Sequence, residues 1–379
     1  MNKFINMIDK ESWEKRVSLC KDAELRIKNK WLTASGTKAF LRHLPEYKNI
    51  INECPKEYEI VLNTIIKLYK YAEQMFNLTY DDLNEITNKK DTSYKLAMSI
   101  NNQSFIGSIC GDIIGSAYEF HKTKDMNFKL FTPQSKFTDD TVMTCAVAEW
   151  LMVDPKHSHE QLIEIIHKYG KKYPNVSYGT SFRIWLETNK TKPYNSFGNG
   201  SAMRVSPCGY YAQSLSEALQ LAKISAEVTH NHPEGIKGAQ AVAAAIYMMK
   251  TASIKNSINI KEIKNFLVKE YSYKMEYSES EWKDHAEKYT FNETCQGSVP
   301  EAIYCALTSN NYEQTVRKAV SLGGDADTQA AIAGGIASAY YPVPLNILSE
   351  CLKLLPDYLI NIIDSFNSTV ISREMKNIY

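Results

Sequence analysis

IGSICGDIIGSA, residues 106–117, places Gly107, Gly111 and Gly115 four residues apart, with Ser116 beside the last. Four residues is just over one helical turn, so the glycines share one helix face. That smooth face lets a second helix approach closely. Small-residue helices are available as partners: residues 141–153, 233–250 and 327–340 each read as an apolar helix, the second opened by Pro233 at a first-turn position. Period-two alternation is hard to find over more than four residues. The expected fold class is therefore all-α.

Two acidic clusters lead into such helices. Thr138-Asp139-Asp140-Thr141 precedes one, and Gly323-Gly324-Asp325-Ala326-Asp327-Thr328 precedes another. Helix capping explains either cluster alone, because Asp and Thr satisfy free N–H groups and complement the helix dipole. Two Asp-dense clusters on apolar helices ask for more. Buried carboxylates are costly to gather unless cations neutralise them. Hard oxygen ligands, without sulfur or an evident histidine, suit Mg²⁺ or Mn²⁺. A metal-assisted hydrolase is the first hypothesis. Asp112 and Glu119 add carboxylates around the first helix, where Asp112 also suits capping or pairing with a cation.

Gly198-Asn199-Gly200-Ser201-Ala202-Met203-Arg204 is a glycine-rich turn entering a helix, suited either to a tight turn or to cradling a phosphate on backbone N–H groups. Thr229-His230-Asn231-His232-Pro233 sets two histidines before a helix. Metal ligation, a phosphate or ribose contact, and a plain surface turn all fit that pair.

The 379 residues allow a large core and two domains. A net charge of +1 recruits neither nucleic acid nor an acidic membrane. Eight cysteines without a C-x-x-C pair argue against structural zinc and a disulfide framework, and favour reduced thiols. The N-terminus lacks the apolar stretch of a signal peptide, and no segment reaches the roughly 18–20 apolar residues of a membrane span. A cytoplasmic protein is expected. Residues 1–98 differ in texture, with Gly36 their one glycine. Leu62, Ile65, Ile66, Tyr69, Met75 and Phe76 recur at helical spacing, Asp81-Asp82 suits a helix start, and the polar stretch 88–93 reads as a linker. Three or four helices are expected there, followed by a second domain over residues 99–379.

Five segments together resemble the ADP-ribosylglycohydrolase family, which includes the dinitrogenase reductase-activating glycohydrolase. They are GDIIGSAYEF (111–120), FTDDT (137–141), FGNGSAMRVSP (197–207), VTHNHPEGIKGAQA (228–241) and GGDADTQAAIAGG (323–335), in the family's order. The THNHPEG and GNGSAMR forms are similar to a bacterial branch. The resemblance implies a compact orthogonal helical bundle, two Mg²⁺ ions and removal of ADP-ribose from modified targets. It implies metal ligation by Thr138, Asp139, Asp140, Asp325, Asp327 and Thr328, and catalytic work for Glu119 and the four aspartates. It gives substrate contacts to Phe197, Gly198, Asn199, Gly200, Ser201 and His230. The substrate is expected to be an ADP-ribosylated protein, with arginine as the modified residue, or an ADP-ribosylated small molecule. Some relatives are immunity proteins that block an ADP-ribosylating toxin with an N-terminal extension, which gives residues 1–98 a candidate partner beside the plainer role of a helical cap. A non-catalytic ADP-ribose-binding protein on the same fold is the alternative.

Overall fold

The computed structural model describes residues 105–254 and 258–376, together with residues 21, 23–25, 27, 28 and 67. By its contacts the chain divides into units Met1–Met98 and Ser99–Tyr379. The helices and linker expected within residues 1–98 lie outside the described residues, apart from helical positions 21, 23–25, 27, 28 and 67.

In the second unit the described regular elements are all helices, as expected: α1 Ile106–Gly115, α2 Asp139–Val153, α3 His159–Lys172, α4 Thr180–Glu187, α5 Gly200–Met203, α6 Ser206–Tyr211, α7 Leu215–Glu227, α8 Pro233–Ile254, α9 Ile260–Tyr271, α10 Glu279–Lys288, α11 Cys295–Leu307, α12 Tyr312–Val320, α13 Ala326–Ala337, α14 Leu345–Lys353 and α15 Asp357–Lys376. The boundaries follow local chemistry. Ser158, Ser214, Asn259, Thr294 and Asn311 each turn a side-chain oxygen onto a free N–H at a helix start. Ser278 and Glu281 close a reciprocal capping box on α10.

The centre of the unit is the pair α1 and α13, whose residues are all buried. The glycine stripe explains how they meet. A Cβ added at Gly111 would strike the Ala330 carbonyl, and one at Gly115 would strike the Ala326 carbonyl. At Gly107 it would strike Ser338 and the Gly334 carbonyl. Ascending positions on α1 thus meet descending positions on α13, so the helices run antiparallel in backbone contact. Tyr312 Oη ties the pair to α12 by donating to the Gly107 carbonyl at 2.7 Å. Packing also joins α13 to α11, α2 to α3 and α15, and α7 to α8. Trp150, Tyr169, Tyr210, Phe105 and Phe366 fill the space around them. This antiparallel pairing carries the last turn of α1 to the first turn of α13.

Candidate active site

Three helix ends converge. The last turn of α1 brings Asp112, and the chain leaving it brings Glu119. Thr138 caps α2, so Asp139 and Asp140 lie in its first turn. Asp325 sits at the cap position of α13, with Asp327 and Thr328 just inside. The N-termini of α2 and α13 turn positive dipole ends toward the carboxylates they carry.

Carboxylate oxygens of Asp112, Asp140 and Asp327 lie within 4.8 Å of one another, and so do those of Glu119, Asp325 and Asp327. Asp327 belongs to both groups. Among the described residues no histidine joins a group able to hold an ion. Asp139 lies outside both but feels Asp327, Asp112 and Glu119 electrostatically. Burial and mutual repulsion push the carboxyls of Asp139, Asp140 and Asp327 well above the usual carboxylate range. Burial lifts Asp325 to about 6, with Glu119 and Asp139 adding to the rise. Glu119, half-buried and repelled by Asp327 and Asp112, is pushed up to about 8.

Hydrogen bonds fix the aim of these groups. Asp112 accepts from the Thr138 backbone N–H at 2.9 Å, the Thr138 hydroxyl at 2.7 Å, the Thr141 backbone N–H at 3.1 Å and the Thr141 hydroxyl. Despite those four donors, burial raises its carboxyl to about 6. Asp112 therefore accepts a first-turn N–H of α2 and holds the Thr138 cap in place. The Thr328 hydroxyl donates to Asp140 Oδ2 at 3.2 Å, whereas Asp140 Oδ1 is buried without a hydrogen-bond partner. A bare, buried carboxylate oxygen beside other carboxylates is costly, and a cation bound there would offset that cost.

The glycine turn adjoins this cluster. Asn199 Nδ2 donates to Asp325 Oδ2 at 2.7 Å and to Ser298 Oγ at 3.2 Å. Ser201 is fully buried and its hydroxyl donates to the Gly235 carbonyl at 2.7 Å, so that side chain anchors α5 to α8. Gly198 pairs with Thr294 in an isolated bridge. An added Cβ at Gly200 would come within 3.0 Å of His230 Nε2, which places the imidazole edge against the turn. Phe197 is half exposed and leans on His232, ring centroids 5.3 Å apart. His232 Nδ1 accepts from the Glu234 N–H at 3.1 Å and belongs to neither group of close carboxylates.

Sequence reasoning missed three contributors. Asp112 was visible, but its link to Thr138 and Thr141 was not. Gln329 Nε2 donates to Tyr289 Oη at 2.9 Å, and Tyr289 Oη donates to the Gly297 carbonyl at 2.6 Å, bracing the first turn of α13. Lys124 Nζ donates to the carbonyls of Ala286 at 2.7 Å, Tyr289 at 2.8 Å and Leu322 at 2.5 Å. It pins the segment after Glu119 to the end of α10 and to the turn before Asp325. Its acceptors are main-chain atoms 162 to 198 residues away, so no local signal marks it.

The chain belongs to the ADP-ribosylglycohydrolase family, whose sequence model matches residues 102–373. It is an enzyme that removes ADP-ribose by hydrolysing a glycosidic bond. It is 28% identical over 305 residues to the mouse ADP-ribosylhydrolase ARH3, covering 62% of this chain and 82% of that one. It is 23% identical over 265 residues to the ADP-ribosylarginine hydrolase Tri1 of Pseudomonas putida (strain GB-1), covering 63% of this chain and 70% of that one. A solved structure described as an ADP-ribosylglycohydrolase-related protein complex superposes with a TM-score of 0.52 at 19% identity, covering 73% of this chain and 99% of that one. At that identity the likeness speaks for the fold.

Proposed function

We propose that the chain is a divalent-cation-dependent hydrolase that removes ADP-ribose from protein, with modified arginine as the target. The observation that carries the reading is Asp140 Oδ1, buried and unpartnered on a carboxylate grouped within 4.8 Å with those of Asp112 and Asp327. Thr138, Asp139, Asp140, Asp325, Asp327 and Thr328 would hold two Mg²⁺ or Mn²⁺ ions, with Asp112 and Glu119 beside them. When bound, the ions supply positive charge and Lewis acidity at the reacting sugar. The arginine target is supported by the name of the Pseudomonas relative.

The chain's own residues do the rest. The bond broken joins C1″ of the distal ribose to its carrier, through a transition state with oxocarbenium character. Glu119, on the segment leaving α1, is pushed up to about 8 by burial and by Asp327 and Asp112, a repulsion that cations in the cluster would offset. Its carboxylate then takes the proton of the attacking water and passes it to the departing guanidine nitrogen as the bond to C1″ breaks. Asn199 holds Asp325 through Nδ2, so the turn that seats the ligand and the cluster that faces the bond move as one piece. The Asn199 N–H donates to the Glu293 carbonyl at 2.8 Å and the Gly198 N–H to Ser196 Oγ at 3.2 Å, so Gly200 offers its backbone N–H to the pyrophosphate while Gly198 and Asn199 shape the turn. Ser201 fixes the turn from behind, His230 donates beside it, and Phe197 offers a face for adenine or ribose. Binding energy gained there, away from the broken bond, positions C1″.

The same protein acts as an immunity factor against an ADP-ribosylating toxin, with residues 1–98 docking on the toxin; the position of that extension motivates this part, and its residues lie almost wholly outside the described ones. Two measurements decide. Free ADP-ribose is quantified from arginine-linked and serine-linked ADP-ribosyl proteins with and without EDTA. Release from arginine that EDTA abolishes and Mg²⁺ restores is expected; release indifferent to EDTA overturns the metal assignment. A chain lacking residues 1–98 that binds a cognate toxin as tightly as the full chain refutes the docking role.

A further inference from the structure

Among the described residues Arg204 is the only arginine with a fully buried side chain, and it forms no ion pair with a carboxylate. Its Nη2 donates to the Ser225 carbonyl at 2.6 Å and to Thr229 Oγ1 at 2.9 Å. Thr229 Oγ1 lies 2.8 Å from His230 Nδ1. A guanidinium only donates, so the threonine oxygen accepts from Arg204. Thr229 is fully buried, so its one hydroxyl hydrogen needs an acceptor, and His230 Nδ1 is the acceptor within reach. With Nδ1 accepting, the ring proton sits on Nε2. That Nε2–H edge lies against Gly200 and near Gly198, where the absent side chains leave room for it.

We infer that Arg204 and Thr229 are positioning residues that lock His230 as the neutral Nε2–H tautomer, a one-way donor to an anionic phosphate oxygen seated on the Gly198–Ser201 turn. Burial and the neighbouring Arg204 charge both hold the imidazole well below its usual range, so it stays neutral. Burial lowers Arg204 only to about 10, so it stays charged. A buried cation without a carboxylate partner is costly by itself. A bound pyrophosphate places compensating negative charge close by, and the hydroxyl and imidazole pass the polarisation from guanidinium to ligand. The relay rests on the reading of the glycine turn as the pyrophosphate seat, and the two can fail separately.

The test uses the full chain with ¹⁵N-labelled histidine rings, His230 being assigned by difference from His230→Ala. The expected spectrum shows His230 as the Nε2–H tautomer, neutral across the range where exposed histidines titrate. A protonated ring or an Nδ1–H tautomer at neutral pH overturns the relay and leaves the hydrolase reading untouched. ADP serves as the pyrophosphate-bearing probe in calorimetry. Thr229→Val should mix the tautomers and weaken ADP binding roughly tenfold, the scale of one hydrogen bond to a charged group. Thr229→Ser should restore both. In a His230→Ala background the Thr229→Val change should weaken binding little further, since the effect passes through the imidazole. Equal losses in both backgrounds overturn the relay. Failure of the native chain to bind ADP overturns the pyrophosphate seat itself.

Discussion

Asp327 belongs to both groups of close carboxylates, so its loss should be felt by both. Asp327→Ala is expected to lower kcat/KM by about a thousandfold or more, or ~4 kcal/mol of transition-state stabilisation, and to remove any thermal stabilisation by Mg²⁺. Binding that selects the folded chain raises its melting temperature, so a scan with and without Mg²⁺ reads the second effect. Full activity at limiting Mg²⁺ counts against the metal assignment. A different carboxyl governs a pH effect away from the site. Glu301 is mostly buried, with His285 Nε2 at 3.3 Å, and burial raises it to about 7. A carboxyl raised on folding contributes stability below its unfolded value near 4.5, and that contribution is lost as pH rises through about 7. Glu301→Gln should therefore stabilise the chain at alkaline pH, by at most about 3 kcal/mol, and do little near pH 5. Melting temperatures of both proteins across that range check the sign; an equal shift at every pH contradicts it.

The contact between α1 and α13 is made of backbone, and this sets which glycines tolerate change. An added methyl at Gly111 meets the Ala330 carbonyl, which belongs to a buried helix and has nowhere to go. Gly111→Ala should destabilise the unit by about 3 kcal/mol, the upper range for overpacking, and separate the two helix ends that form the acidic cluster. At Gly335 the nearest atoms are the Ser108 and Ser206 Cβ atoms at 3.3 Å. There a small adjustment suffices and the helix gains propensity, so Gly335→Ala should stay within about 1 kcal/mol of the parent. Chemical denaturation of both variants separates the cases, and similar losses would contradict the close-packing account. The Lys124 clasp belongs to this scale too, because one side chain fastens α10, the segment after Glu119 and the turn before α13.

Residues matched by the family model begin at 102, close to the division of the chain after Met98. A chain of residues 99–379 should fold and release free ADP-ribose, because every carboxylate and turn residue of the site comes from within it; loss of release without loss of folding would assign residues 1–98 a part in catalysis. The all-α class, the apolar helices over residues 141–153 and 233–250, and the five motif segments could be read from the chain because each depends on short-range spacing, capping chemistry or composition. Asp112 as the anchor of α2, Ser201 as a strut to Gly235, and the bracing by Lys124 and Gln329 could not, because their partners are distant in sequence and several are main-chain carbonyls. The sequence determined which elements form and which residues carry side-chain oxygens. The tertiary structure decided which of those oxygens meet: antiparallel packing along the α1 glycines brings Asp112 to Asp327, and the close approach that does so leaves Asp140 Oδ1 buried with no hydrogen bond to satisfy it.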